Sequence, residues 1–277
     1  MSGIRVVTDS ACDLPASVRQ EHRIEVVPLS IRFGSEEVSD GSLSPSEFWA
    51  RCGASHQLPE TAAPSPGAFE ATFRRLADEG ADGIVCVNLS SKLSATIQGA
   101  QLAADAVKDS IPVRVVDSLS ASLGQGIVVL TAARLAGQGK SLDDVAGAAE
   151  DAVPRVRVYA TLDTLENLKK GGRIGGAQAF LGTMLSIKPV ITIEHGEVEE
   201  ESKQRTRSKS LRYLAQKVKD AGTVEDLCMV HGQAPDADEL LELLSASVPR
   251  EEILVGDVGA VIGTHAGPRV IGVTFLS

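Results

Sequence analysis

Aromatic side chains are scarce in this chain: Phe, Trp and Tyr together make up 3% of its 277 residues. The interior must be built mainly from Val, Leu, Ile and Ala, so a cavity left within it would have aliphatic walls. Such walls suit an alkyl chain better than a flat heterocycle. Positive charge is also in deficit. The formal net charge of −10 argues against nonspecific nucleic-acid binding, which needs Lys and Arg to displace counterions from phosphates. One basic stretch, 203–209, reads either as the solvated start of a helix or as a functional patch. Cysteine is sparse and unpatterned: Cys12, Cys52, Cys86 and Cys228 show neither CxxC spacing nor paired clustering. Cys86 and Cys228 sit in apolar runs and read as small core residues. No secretory signal opens the chain, and polar residues interrupt every apolar run before it could span a bilayer. These absences lead us to expect a reduced, cytoplasmic protein with no integral membrane span.

Motifs for cofactors and covalent catalysis are missing too. There is no GxSxG elbow, and no histidine stands near the candidate serines in sequence, although spatial neighbours remain open. Gly139-Lys140-Ser141 has the ending of a phosphate-binding loop, but Arg134 occupies the place of its first glycine. Gly124-Gln125-Gly126 is followed by Val129 where a dinucleotide fingerprint needs glycine, and it falls inside a helical pattern. His22, His56, His195, His231 and His265 are scattered and lack zinc-ligand spacing. We therefore assign no catalytic residue, no metal ligand and no cofactor.

What is present is an alternation of short β-branched runs with helical patterns. The first half reads as a strand over 4–7, an extended segment over 24–33, and a helix opened by the capping box Ser44-Pro45-Ser46-Glu47. A helix opened by Ser65-Pro66 and ended near Gly80 follows, then a strand over 83–87. A helix over 94–108, a strand over 113–116 and a helical pattern over 121–136 complete the half. This order implies βαβ units and a mainly parallel, Rossmann-like sheet. Near Pro154 the pattern changes. Beyond it come a strand over 156–161, a helix through Leu168, a turn at Gly171-Gly172, a helix over 177–185 and a strand over 189–194. A turn at His195-Gly196, a helix over 208–219, a strand over 226–231, a helix over 237–245 and three strand-like runs close the chain. The expected fold class is α/β in two domains, an N-terminal parallel domain over 1–153 and a C-terminal α+β domain over 154–277.

Three first-half strands end alike. Val7 gives way to Thr8-Asp9-Ser10, Val87 to Asn88-Leu89-Ser90-Ser91, and Val116 to Asp117-Ser118. Ligands of open parallel sheets bind beyond the carboxyl ends of the strands. Each hydroxyl or carboxylate there either caps the next helix or faces a ligand, and their convergence on one edge favours a polar pocket. A helix beginning near Ser94 would aim its free N–H groups and positive dipole end at the 88–96 loop, which favours an anion such as a carboxylate. Thr61, in the Pro-rich loop 59–64, is a second candidate donor. The rival use of these serines is covalent: a hydrolase or transferase acting on a small acyl substrate through a loop serine and His265.

At these residues the chain resembles the DegV family, over nearly its whole length. Val7-Thr8-Asp9-Ser10 is similar to that family's opening motif, and the 89–96 loop to its SSxLSGT loop. Leu165-Glu166-Asn167-Leu168-Lys169-Lys170-Gly171-Gly172-Arg173-Ile174, followed by Ile187-Lys188-Pro189, is the most specific match. Gly263-Thr264-His265-Ala266-Gly267-Pro268 is similar to its HxGPG element. The resemblance implies a long-chain fatty acid buried between two domains, its carboxylate held by Thr61, Ser94 and His265. Ser91, Arg173 and Arg205 match positions with supporting or partner-contact roles. It further implies an ATP-dependent fatty acid kinase as partner, converting the bound acid to an acyl phosphate for phospholipid synthesis, with no catalysis by this chain itself. Three departures stand out: Ala62 for Ser, Ala95 for Gly, and Arg269 for Gly. The Arg269 charge would either strengthen anion binding or narrow the opening.

Overall fold

The computed structural model describes residues 3–55 and 57–277, with the backbone alone over 181–186; His56 lies outside the described residues. Among the described residues the strands form three sheets. The first is wholly parallel, with Ile24–Val27, Ile4–Asp9, Gly83–Asn88 and Val113–Asp117 in spatial order. Gly83–Asn88 is buried throughout, because helices cover both faces of this sheet. Phe69 and Phe73 of the helix Pro66–Asp78 and Ala100 and Ala103 of the helix Thr96–Val107 pack on Val7, Ile84 and Cys86. The opposite face, with Val6, Val85 and Val87, packs on the helices Leu123–Gly137 and Leu142–Ala152.

The second sheet is mixed. Its order is Glu197–Gln204, Lys188–Glu194, Val156–Thr161, Ile271–Leu276, Glu225–His231 and Leu254–Asp257, antiparallel except for the last pair. Helices Arg207–Asp220 and Ala237–Ser245 cover one face. The other face turns toward Leu123–Gly137, so that helix lies between the two sheets. Residues 123–130 are all buried, as a helix apolar on every side must be. Two glycines allow the approach: a Cβ on Gly126 would lie 2.9 Å from the Cys12 carbonyl oxygen, and one on Gly124 2.6 Å from Val158 Cγ2. The parallel sheet draws only on residues up to Asp117 and the mixed sheet only on residues from Val156. The α/β class expected from the strand–helix alternation is the observed one.

The Ser44 capping box forms, with Ser44 Oγ accepting from Glu47 N at 3.3 Å and Glu47 Oε2 accepting from Ser44 N at 2.9 Å. Only the second part of the basic stretch is the start of a helix, Arg207–Asp220, capped by Thr206; Lys203 and Gln204 end the strand Glu197–Gln204. Ser141, which ends the phosphate-loop-like tripeptide, caps the helix Leu142–Ala152, an element the sequence reading lacked. Among the described residues no group of three or more His, Cys, Asp or Glu could hold a metal ion, and no helix is long and apolar enough to cross a membrane.

Four expectations are corrected. The 24–33 segment is two strands, broken at Pro28, which has no N–H to continue a ladder; Ser10 Oγ takes the following donor, Leu29 N, at 3.0 Å. The second piece, Ser30–Phe33, joins Glu36–Ser39 and Glu60–Ala62 in a small antiparallel sheet, so Thr61 sits on a strand opposite Ile31 rather than in a loop. Residues Gly175–Ser186 form tight 3-10 turns instead of the α-helix read over 177–185. Gly175, at φ +49°, brings its backbone against the hairpin strand so closely that a Cβ would collide with the Val198 carbonyl. Finally, the middle one of the three closing runs is a helix, Ala260–Ala266.

Candidate ligand-binding site

The hydroxyl-rich edge of the parallel sheet is largely consumed by its own backbone. Asp9, buried between neighbours, accepts from Asn88 Nδ2 (3.1 Å), Leu89 N (2.8 Å) and Ala11 N (3.1 Å). Burial raises its pKa despite these bonds. Asp117 accepts from Ser91 N (3.2 Å) and Leu119 N (3.0 Å). Ser90 donates to the Gly196 carbonyl (2.7 Å), tying the loop to the turn of the Lys188–Glu194 hairpin. Capping and stitching therefore account for most of the polar groups that the sequence placed there.

A cavity lies between the mixed sheet and, from the first half, the loops beyond the carboxyl ends of the parallel strands together with Thr61 of the small sheet. Its volume is about 950 Å³, partly continuous with solvent. Its walls are Leu29, Leu89, Leu93 and Ala121 from the first half, and Val158, Leu162, Leu168, Ile191, Ile193, Val198, Val230, Val261 and Val273 from the second.

Thr61, Ser94, Arg173 and His265 all line this cavity. Thr61 Oγ1 and His265 Nε2 are 2.9 Å apart. The His265 ring stands over Gly171, where a Cβ would lie 2.3 Å from Nδ1, so only glycine leaves room for the imidazole. Arg173 donates from Nη1 to the Gly171 carbonyl at 2.7 Å and from Nε to the Leu93 carbonyl at 3.0 Å, immediately before Ser94. Four segments remote in sequence, at Thr61, Leu93–Ser94, Gly171–Arg173 and His265, thus meet through one chain of contacts. Ser94 lies two residues before the Thr96–Val107 helix, where its Oγ accepts from Thr96 N at 3.3 Å and pairs with Thr96 Oγ1 at 2.9 Å. Ser91 and Arg205 do not line the cavity; Arg205 is exposed. Arg269 is also absent from the lining. Its φ of +60° is the conformation glycine adopts freely, and its guanidinium extends to Asp163 at 3.4 Å. It neither narrows this cavity nor adds a charge to its wall.

His265 is held below its ordinary range, at about 4, by burial first and by the Arg173 cation second. The ring is therefore neutral near pH 7 and can donate from one nitrogen only. Its Nδ1 makes no hydrogen bond among the described residues, and Ser94 pairs with Thr96 rather than with the histidine. The helix carrying His265 is capped from outside. Asp13 accepts from Gly259 N at 2.9 Å and from the Ser122 hydroxyl at 2.5 Å, while Asp40 accepts from Ala260 N and Val261 N. Burial raises the pKa of both carboxyls. At the other end of this helix, Asn167 Nδ2 donates to the Thr264 carbonyl at 3.0 Å. Sequence reasoning missed Asp13, Asp40, Asn167 and Ser122; Asp13, at the left-handed φ of +52°, carries no local signal of that partnership.

The arrangement is a mainly aliphatic slot in which the Thr61 and Ser94 hydroxyls, a neutral imidazole and a guanidinium border one another, with Ser122 and Thr274 also among the lining residues. It matches an amphiphile with a long alkyl part and an anionic head. Residues 3–277 match the family described as "Uncharacterised protein, DegV family". A DegV domain-containing protein of Streptomyces coelicolor is 37% identical over 99% of this chain and 98% of its own. Among solved structures, a DegV family protein from Thermus thermophilus described by its fatty acid binding has a TM-score of 0.91 at 36% identity, covering 99% of each chain. DegV from Bacillus subtilis, described as a fatty acid binding protein, has a TM-score of 0.88 at 31% identity, again over 99% of each chain.

Proposed function

The chain belongs to the DegV family, and from that membership we propose that it binds a long-chain fatty acid between residues 1–153 and 154–277, with the alkyl chain in the aliphatic cavity. The carboxylate is held by Thr61, Ser94 and His265, with Arg173 supplying compensating charge. The observation that carries this reading is the junction of Thr61, His265, Arg173 and the Ser94 loop on the wall of a mainly aliphatic slot. Burying about 14 methylenes at about 0.8 kcal/mol each offers roughly 11 kcal/mol gross. Association and ordering remove a large part, about half, and the remainder of roughly 5.5 kcal/mol alone corresponds to retention near about 0.1 mM, so tighter binding rests on the head-group contacts. An ionised head buried without partners would cancel that gain, so the polar junction is a requirement rather than an ornament.

The carrier would have no turnover of its own. Its loaded carboxylate would be presented to an ATP-dependent kinase subunit, which forms the acyl phosphate used in phospholipid synthesis; Ser91, Arg173 and Arg205 are the supporting or partner-contact positions. The deciding experiment extracts the purified protein with organic solvent for mass spectrometry, then offers palmitate or oleate to the delipidated chain. Recovery or uptake of a long-chain acid is expected. Finding no bound acid and no uptake would refute the reading.

A further inference from the structure

The acyl cavity has a neighbour. A second cleft, of about 1080 Å³ including open solvent, is lined by Leu119, Ser120, Val153, Pro154, Val156 and His195 among others. Tyr159 and Ile193 belong to the walls of both spaces. Three independent segments run from one to the other in the same sense. Along Val156–Thr161, Ala160 and Val158 line the cavity, while Val156 and Arg157 line the cleft. Along Lys188–Glu194, Ile191 and Ile193 line the cavity, and His195, just past the strand, lines the cleft. In the loop before the Leu123–Gly137 helix, Ser122 and Ala121 face the cavity while Ser120 and Leu119 face the cleft. The two spaces are therefore in line.

The strand pairing opens the passage. Val156–Thr161 and Lys188–Glu194 pair through Thr161↔Val190, Ala160↔Ile191 and Tyr159↔Thr192, and beyond that register they no longer pair. Val158 and Ile193 flank the place where they part. The other direction along Val156–Thr161 leads through Leu162 toward Leu168 and Arg173, the polar junction. The cleft thus lies at the end remote from the proposed carboxylate.

We propose that the cavity opens at its tail end into this cleft, and that acyl chains too long for the cavity pass between Val158 and Ile193 to lie along Leu119, Val153, Pro154 and Val156. This rests on the fatty-acid reading and extends it to a ligand class: acids longer than the enclosed slot, with the overhang on a half-apolar surface. At a strand rise of about 3.3 Å per residue, the stretch from Leu162 to Val156 is about 20 Å, comparable with an extended long-chain acid, so the longest chains would reach the cleft.

The test uses the delipidated full-length chain with myristate, stearate and lignocerate, and the methyl-terminal diazirine analogues of the first and last. Lignocerate is expected to bind, and its photoprobe to label the peptides carrying Leu119, Val153, Pro154 or Val156, whereas the myristate probe labels cavity residues. Val156→Trp, which fills the cleft without altering the cavity wall, should weaken lignocerate about tenfold while leaving myristate within about twofold. Rejection of lignocerate by a protein that holds myristate, labelling confined to the cavity, or equal weakening of both acids by Val156→Trp would each overturn the proposal while leaving the fatty-acid reading intact. Failure to bind any acid would overturn both. The wild-type labelling pattern decides the matter if the tryptophan variant does not fold.

Discussion

Thr61 and His265, separated by 204 positions, are joined by a hydrogen bond of 2.9 Å between Oγ1 and Nε2. The first stands on a strand of the small antiparallel sheet and the second in the last turn of the closing helix. With the ring neutral, this pair can turn outward to an arriving carboxylate as two donors, at the cost of one modest internal bond.

Removing the hydroxyls should expose how much of the affinity rests on the head group. A hydrogen bond to a charged partner contributes about 1.5–3 kcal/mol, so Thr61→Ala should weaken palmitate binding by about tenfold or more. Thr61→Ala with Ser94→Ala should weaken it further, by roughly a hundredfold in all. Titration calorimetry of delipidated protein reads both values; unchanged affinity in the double variant would rule out this head-group site.

Stability should respond to pH through His265. Its folded value of about 4 lies below the ordinary 6.5, so the unfolded chain takes up the proton first as pH falls. The neutral ring carries no penalty above pH 6.5, and the fold loses stability between there and pH 4, by at most about 3 kcal/mol. Urea unfolding of wild type and His265→Gln should diverge in pH dependence across that window, the wild type falling more steeply. Parallel curves would contradict the assignment.

Arg173 is the second cause of that depressed value, and Arg173→Ala should move the His265 titration upward without restoring it fully, because burial remains the larger cause. Imidazole NMR signals followed against pH measure the shift directly. Loading with palmitate should also raise it in the wild type, since a carboxylate beside the ring favours its protonated form.

Gly171→Ala places a methyl group 2.3 Å from His265 Nδ1, which forces the ring off its position. Palmitate affinity is expected to fall about tenfold with a small change in unfolding midpoint, as the site is partly open. A crystal structure with the imidazole unmoved would argue otherwise.

Asp13→Ala leaves Gly259 N and the Ser122 hydroxyl without their acceptor at the start of the helix that carries His265. A loss of about 1–3 kcal/mol in urea unfolding is expected, together with weaker palmitate binding. Stability lost with affinity unchanged would show that this cap serves the fold alone.

Much of this architecture is written in local pattern. Ser44-Pro45-Ser46-Glu47 fixes a helix start through two reciprocal hydrogen bonds within four residues, and the uniformly apolar 127–130 run marks a helix that must be enclosed. The closing helix was unreadable for the opposite reason. Val258 to Gly263 is a short apolar run that suits strand or helix equally, and the carboxylates that cap it belong to Asp13 and Asp40, far away in sequence. The same limit applies to the serines at the strand ends. Which of them would cap and which would face a ligand depends on acceptors contributed by the other sheet, such as the Gly196 carbonyl that engages Ser90.

By itself, then, the order of residues determined the α/β class, the scarcity of aromatic side chains that makes the interior aliphatic, and the candidates Thr61, Ser94, Arg173 and His265. Only the tertiary structure decided that these four share one wall, that Arg269 turns away to Asp163, and that the cavity lies in line with a second cleft. Local preferences act over a few residues, within reach of a cap or a turn. The proposed site is an encounter between the mixed sheet and the loops and small sheet of the first half, and that encounter is set by long-range burial rather than by neighbouring residues.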